Sequence, residues 1–128
     1  MHYKYLTPML WTSDLKATVA FYQLQLAFEI SELNEEWGWC HMRKDGVDFM
    51  FAVPNEHTPY EKPVFTGTFY IYTDDIDELW EKVKDTPHIY YPIEDFEYGM
   101  REFAIKDNNG YILQFGKDLL NNTALPNS

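Results

Sequence analysis

One cysteine, six glycines and ten lysines and arginines are all that this 128-residue sequence holds of those types. A lone Cys40 excludes an internal disulfide and the paired-cysteine spacings of structural zinc sites. The glycines form no phosphate-cradling loop of the kind that opens a nucleotide-binding helix. Ten scattered basic residues against 21 acidic ones leave a net charge of −11 and a pI near 4.6, the reverse of the clustered positive surface that nucleic-acid binding requires. No apolar run approaches the roughly 20 residues of a membrane span, and Met1–Leu6 lacks the charged-then-apolar layout of a secretory signal. These absences predict a cytoplasmic protein with neither a nucleic-acid nor a membrane partner. Nucleophilic triads are missing too.

What is abundant is aromatic. Nine Phe, ten Tyr and four Trp make up 18% of the chain. A chain of this length forms one ordinary domain that buries roughly two-thirds of its unfolded surface. Some of these rings must therefore fill a mixed core, and others are free to line a concave binding surface.

The chain repeats its own grammar. Thr7-Pro-Met-Leu-Trp-Thr-Ser-Asp-Leu lines up with Thr68-Phe-Tyr-Ile-Tyr-Thr-Asp-Asp-Ile at an offset of 61 residues, and each reads as an alternating strand that ends in a helix start. Leu15, Val19, Tyr22 and Leu26 then form the stripe of an amphipathic helix capped by Ser13 or Asp14, and Ile76, Leu79, Trp80 and Val83 do the same after Asp74 or Asp75. Trp37–Arg43 and Val47–Val53 flank the turn Lys44-Asp45-Gly46, while Arg101–Lys106 and Tyr111–Gly116 flank Asp107-Asn108-Asn109-Gly110; both pairs predict hairpins. Shorter strands near Glu29–Leu33 and Ile89–Tyr91 complete βαβββ twice. The predicted class is α+β: a first module over 4–54, a proline-rich linker over 55–63, a second module over 64–117 and a polar tail over 118–128, together one domain.

Period-two alternation sorts the strand side chains. Leu6, Leu10, Met50, Ala52, Phe69, Ile71, Leu113 and Phe115 are expected to face the helices. The opposite parity carries Thr7, Met9, Trp11, Phe49, Phe51, Val53, Thr68, Tyr70, Tyr72, Ile112 and Gln114, a mixture of rings and a few polar groups suited to a small-molecule pocket.

The run Asp107-Asn-Asn-Gly-Tyr-Ile-Leu-Gln-Phe-Gly resembles the C-terminal signature of the glyoxalase, bleomycin-resistance and dioxygenase (vicinal oxygen chelate) superfamily. Tyr98-Gly-Met-Arg-Glu-Phe resembles the segment that often precedes it, and Thr12-Ser-Asp-Leu through Phe21-Tyr22 resembles its helix entry. With the repeat, the resemblance covers most of residues 4–117. It implies two βαβββ modules whose curled mixed sheets surround a central cup, commonly in a homodimer. It does not by itself imply a reaction.

In metal-dependent members of that superfamily, four side chains from equivalent strands hold one divalent ion that polarises substrate oxygens. Carried over by position, these ligands fall at Thr7, Thr68, Phe49 or Phe51, and Gln114. None is an ordinary first-row metal ligand, so neither a metal nor another cofactor is expected. Among the histidines, His2, His57 and His88 read as surface residues. His41 shares a strand face with Trp37, Trp39 and Arg43, where it is either a hydrogen-bonded rim residue or a polar or acid–base ligand contact. Cys40 reads as an inert core thiol.

The expectation is a metal-free binder of a small planar or cationic molecule, resembling the bleomycin-resistance proteins, with Thr7, Met9, Trp11, Trp39, His41, Phe49, Phe51, Thr68, Tyr70, Tyr72 and Gln114 as pocket residues. The rival reading is a lyase, isomerase or dioxygenase of the same superfamily acting on a small oxygenated metabolite. A third is a module whose partner is another protein.

Overall fold

Asp14 accepts a hydrogen bond from the Ala17 amide at 3.0 Å, and this cap starts helix α1 (Leu15–Leu26) in the computed structural model, which describes every residue except Glu56, Thr58, Pro59 and 121–128. The helix stops at Ala27, which turns left-handed at φ 60°, so that the Phe28 amide reaches back to the Tyr22 carbonyl at 2.9 Å. Helix α2 (Ile76–Val83) starts after Asp75, which makes no side-chain cap bond there; Asp77 and Glu78 in the first turn and Lys82 in the last suit the helix dipole instead. No helix among the described residues is long and apolar enough to cross a membrane.

The chain divides into two compact units, Met1–Val64 and Phe65–Ser128, each carrying one βαβββ module. In the first, β1 (Met9–Trp11), β2 (Glu29–Asn34), β3 (Trp39–Lys44) and β4 (Val47–Ala52) form a sheet in the order β1-β4-β3-β2. In the second, β5 (Phe69–Tyr72), β6 (Ile89–Asp95), β7 (Met100–Lys106) and β8 (Ile112–Asp118) repeat it as β5-β8-β7-β6. The first strand of each module pairs parallel to the last, and every other pairing is antiparallel. This is the α+β, two-module fold that the sequence repeat predicts. Asp118, expected to open the tail, is the last residue of β8, and 121–128 lie outside the described residues, as do three residues of the expected linker.

In each module the helix covers one sheet face with aromatic packing. Tyr22 of α1 is fully buried, with ring centroids 4.7 Å from Phe51, 5.5 Å from Phe28 and 5.8 Å from Phe49. Leu10, Leu26, Cys40 and Met42 are buried on the same side of the sheet. The helix stripe differs by one position from expectation: Thr18 and Phe21 are buried while Val19 is half-buried at the edge, because Thr18 is held by a 2.8 Å hydroxyl contact to buried Thr12. In the second module Trp80 of α2 packs on Phe103 at 5.2 Å, Phe103 stacks on Phe115 at 5.5 Å, and Ile76, Val83, Ile105 and Leu113 close the core.

One expectation is reversed. Phe49 and Phe51 do not face away from the helix but fill the core beneath it, and Met50 and Ala52 take the opposite face. Strand β4 carries the polar Asp48 on the parity of Met50 and Ala52, and that contrast turns their side away from the helix. Volume acts in the same direction: the two large rings fill the space around Tyr22 that Met50 and Ala52 would leave loose. Leu6, also expected in the core, precedes β1 and is exposed.

Candidate functional site

The register defines the face opposite α2 in the second module. Tyr70 pairs with Gln114 and Gln114 with Ala104; next to them, Tyr72 pairs with Gly116 and Gly116 with Glu102. Glu102 is 2% exposed, yet it sits on this face rather than in the apolar core. Burial of a carboxylate needs hydrogen-bond donors, and here they are phenols. Tyr70 donates to Oε1 at 2.7 Å and Tyr98 to the same oxygen at 3.0 Å, while Tyr91 donates to Oε2. The Gln114 amide donates to the Tyr91 oxygen at 2.8 Å and to Glu102 Oε2 at 3.2 Å, and its own carbonyl accepts from Thr68. Burial, followed by the Glu102 bond, raises all three phenols above the ordinary tyrosine range, so they remain protonated donors.

Gly116 makes this arrangement possible. A Cβ there would lie 2.1 Å from the Tyr70 hydroxyl, inside any real contact, so only glycine lets that phenol cross β8 toward Glu102. Rings continue the surface outward: Tyr72 lies 5.1 Å from Tyr70, and Phe96 stacks on Tyr98 at 5.3 Å with planes 9° apart. Tyr72 and Tyr98 are 57% and 58% exposed, so both offer ring faces to solvent.

The corresponding face of the first module carries Met9, Trp11, Trp39, His41, Arg43, Asp48, Met50 and Ala52. Asp48 Oδ1 accepts from His41 Nε2 and from Arg43 Nε, each at 2.8 Å. The Arg43 bond is the larger cause holding the Asp48 carboxyl below its ordinary range, and the His41 bond adds to it. Trp11 meets Tyr60 edge-on at 6.1 Å.

Of the expected pocket residues, the structure thus places Tyr70, Tyr72 and Gln114 on one face with Thr68 at its edge, and Met9, Trp11, Trp39 and His41 on the equivalent face of the other module. Thr7 precedes β1. Phe49 and Phe51 belong to the core, which removes them from any ligand surface on that face. Sequence reasoning missed Glu102, Tyr91, Tyr98 and Asp48. The available signal was the strand Arg101-Glu102-Phe103, where a charge one residue before a core aromatic must lie on the pocket parity. Trp37 precedes β3 and is exposed.

The register makes Met50, not Phe49 or Phe51, the first-module counterpart of Gln114. The superfamily's metal positions thus become Thr7, Met50, Thr68 and Gln114: two neutral hydroxyls, a thioether and an amide whose carbonyl already accepts a hydrogen bond from Thr68. This set does not fit a divalent first-row ion. Among the described residues, no group of three or more His, Cys, Asp and Glu could hold one. Cys40 is fully buried, and burial pushes its thiol up to about 11, far from a nucleophile's range.

A separate cavity of about 400 Å³ opens beside α1, its lining including Leu15, Val19, Leu33 and Val53 together with Asp14 and Glu35. Val53, expected on the pocket parity, instead lines this cavity beside α1, and none of the other expected pocket residues does.

Comparison with known proteins agrees with the geometry. No curated protein matches the chain. Solved structures share its fold at low identity. A protein of unknown function from Agrobacterium tumefaciens str. C58 superposes with a TM-score of 0.76 at 16% identity, over 93% of this chain and 97% of that one. A glyoxalase/bleomycin resistance protein/dioxygenase from Nocardioides gives 0.73 at 19% identity, over 98% and 89%. A lactoylglutathione lyase from Agrobacterium tumefaciens gives 0.68 at 20% identity, over 89% and 92%. The family model for the glyoxalase/bleomycin resistance protein/dioxygenase superfamily matches residues 4–115, and the chain belongs to that superfamily.

Proposed function

We propose that this protein binds a small planar or cationic molecule against the aromatic faces of its sheets, without a metal ion, as an antibiotic-sequestering member of its superfamily would. The observation that carries the reading is the Glu102 cluster. At the second-module positions where a metal-dependent member would present ligands, this chain has Thr68 and Gln114, and both are already bonded into a network of three phenols around a buried carboxylate. Such a network supplies ring faces and fixed polar atoms, which is what a binding surface for a planar molecule needs. We extend the proposal to a homodimer, on the superfamily resemblance.

The experiment combines metal analysis of protein purified without chelators with a thermal-shift screen of planar aromatic compounds, run with and without a chelator. The expected result is a substoichiometric metal content and stabilisation by planar ligands that the chelator leaves unchanged. A stoichiometric divalent ion, or a ligand response abolished by chelation, would overturn the reading.

A second reading, a metal-free isomerase, draws on the His41–Asp48 pair. A carboxylate that accepts from Nε2 leaves Nδ1 of the ring to exchange a proton with a substrate. Turnover of a small oxygenated metabolite that Asp48→Asn reduces, with no metal added, would favour it.

A further inference from the structure

We propose that the Glu102 cluster selects its ligand by hydrogen-bond polarity. It takes an organic cation that donates hydrogen bonds, such as a protonated amine or amidinium on a planar body, and it rejects carboxylates and phosphates. This rests on the small-molecule reading above and narrows it.

Tyr70 and Tyr98 each own one hydroxyl proton, and each gives it to Glu102 Oε1. Tyr91 gives its proton to Oε2, and Thr68 gives its own to Gln114 Oε1. The two amide protons of Gln114 go to the Tyr91 oxygen and to Glu102 Oε2. Five side chains have thus turned every proton they own toward Glu102 or toward one another. What remains on the Tyr70 and Tyr98 oxygens is lone pairs, which accept and cannot donate.

The charge points the same way. Arg101, the basic neighbour in sequence, is committed on the other parity to Asp77 and Asp95, at 2.9 Å each. Glu102 itself is held by hydroxyl and amide dipoles, and among the described residues no Lys, Arg or His forms an ion pair with it. A cation on the phenol oxygens would gain from that buried negative charge, and the exposed faces of Tyr72 and Tyr98 would add ring attraction. Within these five side chains an anion would find no donor. To supply one, a phenol would have to abandon the carboxylate and leave it short of a partner. The chain's net charge of −11 acts in the same sense at longer range. Glu102 is therefore a positioning residue: it acts through the direction in which it holds three phenol protons.

The test uses three planar compounds on one skeleton in fluorescence titrations at neutral pH: 9-aminoacridine as the cation, acridine as the neutral compound and acridine-9-carboxylate as the anion. The cation should bind at least about tenfold more tightly than the anion, with acridine between them. In Glu102→Gln the new amide must donate to a phenol, which turns a phenol proton outward. The cation should then weaken and the carboxylate strengthen, so that the affinity ratio collapses, a change that general loosening of the fold would not produce. Tyr98→Phe keeps an exposed ring, removes one lone-pair carrier and should weaken the cation several-fold. It decides the matter alone if Glu102→Gln does not fold.

Equal binding of cation and anion, or an unchanged ratio in Glu102→Gln and unchanged cation affinity in Tyr98→Phe, overturns the polarity proposal and leaves the small-molecule reading standing. Failure of all three compounds, together with a planar-compound screen that gives no stabilisation, overturns both.

Discussion

Where the first module sets Trp39 beside Ala52 and Trp11, the second sets Glu102 beside Gly116 and Tyr72. These are the same three positions of the same sheet, and the difference begins with the smallest of them. Gly116 leaves a gap that the Tyr70 hydroxyl enters, whereas the first module has Ala52 there and, in the place of Tyr70, Met9, which has no hydroxyl. Once a phenol can lie across the strand, a carboxylate on the next strand has a donor and can be buried. The pair teaches that backbone symmetry does not carry chemical symmetry, because glycine for alanine, tyrosine for methionine and glutamate for tryptophan at equivalent positions replace an indole face with a polar network.

The largest effect that can break this comparison is at Glu102. Glu102→Ala strands three phenols and one amide and should cost about 3 kcal/mol in urea unfolding, against roughly 1 kcal/mol for Trp39→Ala at the matching place. Equal costs would mean that the network does not hold the second module together.

Next in size is the methyl itself. Gly116→Ala should cost about 1–2 kcal/mol by driving Tyr70 off Glu102, and about half of that should disappear in a Tyr70→Phe background. Additive costs in that double-mutant cycle would detach Tyr70 from the explanation.

The smallest effect belongs to Asp48, whose second-module counterpart is Ile112. Arg43 and then His41 hold its folded-state carboxyl below the ordinary 3.8, so its contribution is full above that value and is lost as pH falls through the lowered one. Stability measured below about pH 4 should therefore decline more steeply in the wild type than in Asp48→Asn, by no more than about 1 kcal/mol, as suits a part-exposed pair. Parallel acid limbs would assign the pair no weight.

The fold was legible because both halves spell it with the same signals: Asp14 before one amphipathic stripe and Asp75 before the other, then a turn between two alternating strands. The signature run around Asp107 is explained by its geometry, since Asp107 Oδ1 accepts from the amides of Asn109, Gly110 and Tyr111 at 2.8–2.9 Å and so shapes the second hairpin. The site was legible only in part. Tyr70, Tyr72, Gln114, Trp39 and His41 follow from alternation. Phe49 and Phe51 were placed on the wrong face although the polar Asp48, on the parity of Met50 and Ala52, marks the outward side of that strand. Glu102 was harder to read: an acidic residue in a strand reads as a solvated one until the glycine across the hairpin and three tyrosines from β5, β6 and the turn before β7 are brought together by the register.

Cys40 gives the molecule a built-in clock. It lies on β3 with no exposed surface, paired across the strands with Phe51 and Leu33, and its thiol is protonated at neutral pH. An alkylating reagent can reach it only when the aromatic packing over β3 and β4 comes apart. The rate at which this single sulfur is modified therefore reads how often the first module opens, with no label added and no signal from the second.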